Sequence, residues 1–140
     1  MNWNRTMLAA LAGGVAMWLT GFLMHAVLMG PTYTRYPEVF TQERANPLLF
    51  LAVEILIAFP AAVLFAKTRG SWAAGVGGGV TFGFWLGLVG AFTELFNPIV
   101  LEGFPYYLGW CWWGIHLIAS IVLGVVLGAT IRGQPARISA

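Results

Sequence analysis

A chain of 140 residues has the length of one domain. Hydrophobic residues make up 59% of it and charged residues 9%, against about a quarter charged in a soluble domain; too few charges exist to cover a fold with a water-compatible surface, so lipid is the expected solvent. The net charge of +2 is small and scattered, which excludes a nucleic-acid surface, and the single cysteine, Cys111, excludes an intrachain disulfide.

Four apolar runs follow in chain order. The first, 7–29, is interrupted by Thr20 and His25, and the second, 47–66, by Glu54. The third, 72–96, carries Thr81, Thr93 and Glu94, and the fourth, 106–131, carries His116, Ser120 and Thr130. About 20 apolar residues rising 1.5 Å each cross the roughly 30 Å of hydrocarbon in a bilayer. None of the runs alternates in polarity as barrel strands do. The expected fold is an all-α membrane protein, a single domain of four transmembrane helices in an antiparallel bundle. The first run exceeds the about 7–15 apolar residues of a signal peptide and reads as a retained span.

Basic residues decide the orientation. Arg5, Lys67, Arg69, Arg132 and Arg137 fall on one side, Arg35 and Arg44 on the other, the latter beside Glu38 and Glu43. Both termini are therefore expected in the cytoplasm. The turn 67–71 is short and makes spans two and three an antiparallel hairpin, whereas the outer loops 30–46 and 97–105 are longer and rich in Pro and aromatic residues. Tyr106, Tyr107, Trp110, Trp112 and Trp113 read as an outer aromatic belt, with Trp3 and Trp72 marking the inner one. Gly13-Gly14-Val15 echoes Gly78-Gly79-Val80, and Asn46-Pro47 echoes Asn97-Pro98, which suggests a two-plus-two parallel repeat; the matches are short and glycine-biased.

Eighteen glycines need a reason, and close helix packing supplies it: in lipid, small residues let backbones approach. Gly75, Gly79, Gly83, Gly87 and Ala91 recur every fourth residue along span three, and Ser120, Gly124 and Gly128 do so along span four. Ala10, Gly14 and Gly21 in span one and Ala58, Ala61 and Ala62 in span two complete the expected seams of a tight bundle. One seam facing another subunit is the alternative.

Each span holds one ionisable residue: His25, Glu54, Glu94 and His116. A charge at the bilayer centre costs at least about 2.5–3.5 kcal/mol, so such residues face the bundle interior. At 100° per residue, His25 falls within about 20° of Gly14, Glu94 within about 20° of Gly83 and Gly87, and Glu54 within about 20° of Ala61. His116 begins the ridge that continues through Ser120. Counted from the outer loops, all four lie in the outer half. Three readings stay open. The residues can serve as interhelical hydrogen bonds alone. They can form a ligand site, with His25, His116, Glu54 and Glu94 holding a divalent transition metal, or the two histidines a haem; a di-iron bundle needs about twice as many ligands and a Glu-x-x-His motif that is absent. They can pass protons or a small solute, although only Thr20, Thr81, Ser120 and Thr130 would continue such a path. Cys111 is out of phase with His116, and Met24 and Met29 read as apolar filler. No nucleotide-binding loop, zinc-protease pattern or nucleophile with a nearby base occurs, so an enzyme ranks last.

Asn2 and Asn4, the glycine-rich first span, Tyr36-Pro37-Glu38-Val39-Phe40 before Asn46-Pro47, and Gly103-Phe104-Pro105-Tyr106-Tyr107 carry a resemblance. In these the chain resembles small bacterial four-span membrane proteins grouped as domains of unknown function. The resemblance implies a bacterial inner-membrane location and brings no activity, cofactor or residue role. The expected function is an inward-facing His/Glu site in the outer half that binds a small ligand or metal or couples to protons. The alternative is an accessory subunit of a larger membrane complex, or a homo-oligomer, with lipid as the remaining partner and the polar residues only bonding helices together.

Overall fold

The computed structural model describes residues 1–40 and 46–131. Glu43 and Arg44 of the first long loop, and Arg132 and Arg137 beyond span four, lie outside the described residues. Among the described residues there is no strand, and four helices are long and apolar enough to cross a membrane: Trp3–Leu28, Pro47–Lys67, Gly75–Val100 and Tyr106–Thr130. The protein is an all-α, four-helix integral membrane bundle. The two long connections sit at one end, called here the long-loop end, and the short turn between spans two and three sits at the other, the terminal end.

Span one is α1 (Trp3–Phe22) continued by a π-helical segment, Leu23–Leu28. Asn2 caps α1, its side chain accepting from the Arg5 amide at 3.1 Å, as a short amide side chain does for an otherwise unpaired helix N–H. A four-residue helix α2 (Gly30–Tyr33) follows. Span two is α3 (Pro47–Lys67); Asn46 caps it through the Leu48 amide at 3.0 Å, and Pro47 takes the first turn, where its missing N–H loses nothing. Pro60 lies inside α3 and leaves the Leu56 carbonyl without its helical donor. Span three is α4 (Gly75–Ala91), a 3-10 segment Phe92–Phe96, and the short α5 (Asn97–Val100). Span four is α6 (Tyr106–Thr130). The two Asn-Pro pairs have different jobs: Asn46 caps a helix, whereas Asn97 is itself helical and turns its side chain back to Glu94.

Glycine decides which spans meet. Span four is the hub, lying against both span three and span one, and span one also lies against span two. Along the seam of spans three and four, a methyl group added at Gly79 would sit 2.8 Å from the Gly128 Cα, one at Gly124 would sit 2.9 Å from the Gly83 Cα, and one at Gly87 would sit 2.6 Å from the Ser120 Cβ. The first two are backbone-to-backbone approaches and the third is backbone to side chain; any side chain on these glycines would prevent them, and in lipid the resulting van der Waals contact is the main force joining helices. On span one, a methyl group added at Gly14 would sit 2.7 Å from the Ile55 Cα, and one at Gly13 would meet the Leu123 side chain. Gly21 corrects the expectation made for it: nothing lies within 4 Å of a methyl group placed there, so it is no seam residue. Gly21 lies in the last turn of α1, beyond the stretch where Gly13 and Gly14 meet spans four and two.

Spans two and three, joined by the shortest turn, make few close backbone contacts. They meet near the terminal end through Phe65 and Phe82, with ring centroids 5.0 Å apart. The bundle is therefore tight along three of its lines and open along the fourth. The pairs one with two and three with four are the units a two-plus-two repeat would have, yet the contact of span one with span four has no equal counterpart between spans three and two. The core is Ala9, Ala10, Met17, Ala58, Ala62, Phe65, Leu123 and Leu127, reached from all four spans through Phe82. Large apolar side chains such as Leu8, Leu56 and Val89 point outward, as expected where lipid replaces water.

The sequence marks Arg69 only as a basic residue of the turn. It is buried, at 8% exposure. Its Nε donates to the Ile131 carbonyl at 3.0 Å and its Nη1 to the carbonyls of Trp72 and Ala73 at 3.1 and 2.9 Å, with the guanidinium 5.2 Å from the Phe65 ring centroid. Ile131 is the C-cap of α6, where unpaired carbonyls and the negative end of the helix dipole favour a cation. One side chain thus staples the turn between spans two and three to the end of span four.

Candidate functional site

The four ionisable residues separate into two clusters and one isolated carboxyl. Gly14 backs onto Ile55, so His25, ten residues beyond the level of Glu54, stands roughly 15 Å further along the bundle axis at 1.5 Å per residue. Among the described residues no three His, Cys, Asp or Glu side chains converge on a position that could hold a metal ion.

Glu94 and His116 do come together. Gly90, one turn before Glu94, has no side chain, and the His116 imidazole fills that space directly. Span three then tightens into its 3-10 segment and brings Glu94 Oε1 to 3.7 Å from His116 Nδ1. The second oxygen, Oε2, accepts from Asn97 Nδ2 at 3.1 Å, and the same amide reaches the Glu94 backbone carbonyl at 3.1 Å. Pro98 continues the anchor by packing against Gly109 of span four. The side chains of His116 and Glu94 remain 29% and 26% exposed, so the pair is reachable while most of its surroundings are apolar. A separation of 3.7 Å lies within ion-pair range and beyond a made hydrogen bond. Gly90 and Gly109 were not among the expected packing residues; the only signal for Gly90 was its place four residues ahead of Glu94.

His25 belongs to a second cluster that includes residues of the long loops. Trp112 Nε1–H, which can only donate, donates to the Tyr33 hydroxyl oxygen at 2.8 Å. The same Tyr33 hydroxyl is hydrogen-bonded to His25 Nδ1, so the imidazole, the phenol and the indole form one chain. Phe40 and Phe104 close over this chain, with ring centroids 4.9 Å from Tyr33 and 5.1 Å from Trp112, respectively. Trp112 is therefore part of an internal cap, while Tyr106 and Trp110 keep the exposed positions expected of an aromatic belt. A π-helical turn presenting His25 is a common way for a helix to aim one side chain.

Burial pushes the Tyr33 phenol up to about 12, against the pull of the Trp112 hydrogen bond. An unfolded tyrosine titrates near 10, so folding favours the protonated phenol. That contribution to stability is complete below about pH 10 and is lost as the pH rises through about 12. The phenolate absorbance of wild type minus Tyr33→Phe is expected to be centred near pH 12; a midpoint near 10 would show a solvated ring and an open cap.

Glu54 stands apart. Among the described residues, its Oε2 is buried with no hydrogen-bond partner, as is Trp113 Nε1. An unpaired buried polar atom costs about 1–3 kcal/mol, and nothing in the geometry offsets it. No protein-family model matches the chain, and comparison with curated proteins and with solved structures finds no match.

Proposed function

We propose that the chain is a proton-coupled membrane protein whose exchanging site is the Glu94–His116 pair at the long-loop end of the seam between spans three and four. The observation that carries this is the 3.7 Å approach of the carboxyl to the imidazole, braced by Asn97 and seated on Gly90. An intramembrane ionisable residue is expensive and is kept where it acts. One proton shared by the pair leaves it electrically neutral, whether as imidazolium and carboxylate or as two neutral groups; with no proton, a lone carboxylate stands in an apolar setting. Loss and gain of that proton therefore act on the element that holds Glu94. That element is a 3-10 segment, with poorer hydrogen-bond geometry than an α-helix, and it is continuous with α5 and the second long loop. Proton exchange at the pair thus couples to the arrangement of the long-loop end, where His25 and its aromatic cap also lie. The positive-inside balance supports a reading in which this end faces away from the cytoplasm.

The test is an infrared titration of the purified protein in lipid nanodiscs between about pH 4 and 9, a range that brackets the ordinary values of Glu and His. A titrating carboxyl band is expected in wild type and is expected to be lost in Glu94→Gln. A spectrum unchanged by Glu94→Gln would sink the reading.

A further inference from the structure

The open line between spans two and three is a groove of about 440 Å³ lined by Val53, Leu56, Ile57, Pro60, Leu64 and, across it, Leu86. The side chains that line it are all hydrocarbon. From Val53 to Leu64 it runs roughly 16 Å at 1.5 Å per residue, which is about half of the roughly 30 Å bilayer core, the depth of one leaflet. Phe65 and Phe82 close the space between the two spans at the terminal end. Lys67 follows Pro60 by seven residues and so lies within about 20° of it on the same helix face. It is exposed, and among the described residues it makes no ion pair. A lysine stem extends along apolar surface and delivers its ammonium to the headgroup level.

We infer that this groove is a binding site for one anionic phospholipid, with an acyl chain lying along Val53 to Leu64 and the headgroup phosphate on Lys67. Length, apolarity and charge each fit that occupant: the groove is about as long as one leaflet is deep, and among the described residues its single cation, Lys67, sits at the headgroup end. A transmembrane helix of a partner would need no cation there. Arg69, close by in sequence, is committed to three backbone carbonyls and does not compete.

The experiment is native mass spectrometry of the full chain released from nanodiscs containing equal phosphatidylglycerol and phosphatidylcholine. Wild type is expected to retain one lipid, with phosphatidylglycerol preferred. Lys67→Gln, a surface change that leaves the fold alone, is expected to reduce that preference about five-fold, the roughly 1 kcal/mol carried by one basic residue at an anionic surface. Ile57→Trp, which fills the groove, is expected to abolish retention of either lipid. Arg5→Gln, a basic residue at the same end but on span one, is expected to change nothing. The inference is overturned by equal retention of both lipids in wild type, by an unchanged preference in Lys67→Gln, by an equal loss in Arg5→Gln, or by a second copy or a partner protein retained in place of lipid.

Discussion

Gly79→Val is expected to prevent spans three and four from assembling. The added side chain would meet the backbone of Gly124 and Gly128, and backbone in two packed helices cannot step aside as a flexible side-chain end can. Overpacking a core costs about 1–3 kcal/mol and more where nothing yields. Here the contact is one rung of a ladder that includes Gly83, Gly87, Ser120 and Gly124, so separating the helices at one rung weakens the others. The measurement is the yield and melting temperature of purified protein in mild detergent. Gly21→Val is the matched control, because a methyl group at Gly21 meets nothing within 4 Å, and it is expected to behave as wild type. Equal tolerance of both changes would mean that spans three and four do not meet along this line.

Arg69→Ala is expected to be the most damaging change outside the glycine seams. It removes three hydrogen bonds from one buried cation and leaves the carbonyls of Trp72, Ala73 and Ile131 unpaired. Hydrogen bonds to charged groups are worth about 1.5–3 kcal/mol, so a loss of at least that size is expected in a denaturation curve. Arg69→Lys is expected to recover little, since an ammonium cannot present the planar fork that reaches carbonyls on two separate segments at once. A full rescue by lysine would show that charge at the turn, and not the staple, is what matters.

The parts of this fold that were legible in the sequence are those set by periodicity. Four apolar runs of span length can be read directly, and the every-fourth-residue glycines of span three matched to Ser120, Gly124 and Gly128 of span four named the seam that forms. Glu94 and His116 lie on those same faces, and they meet. Periodicity failed where the helix departs from 3.6 residues per turn. Beyond Phe22 the π-helical segment breaks the phase relation of His25 to Gly14 and Gly21, and His25 turns to Tyr33 and Trp112 instead. The partners of His25 come from a loop and from a tryptophan that composition assigns to the membrane interface, so no helical pattern could have joined them. Arg69 was hidden for a different reason: a basic residue in a short turn ordinarily reaches water, and only the three-dimensional return of span four supplies the carbonyls that bury it. The open line between spans two and three was equally invisible, because a short turn implies neighbours but does not supply the small residues that would let them close.

The most direct test of the account is whether Glu94 and His116 titrate as one unit. The carboxyl infrared titration of wild type in nanodiscs is compared with that of His116→Gln, which keeps the side chain polar but cannot carry the proton. The account predicts that the Glu94 band, identified by its loss in Glu94→Gln, changes the position and shape of its titration when His116 is replaced, because the two groups are 3.7 Å apart. A Glu94 band that titrates identically with and without His116 would contradict it.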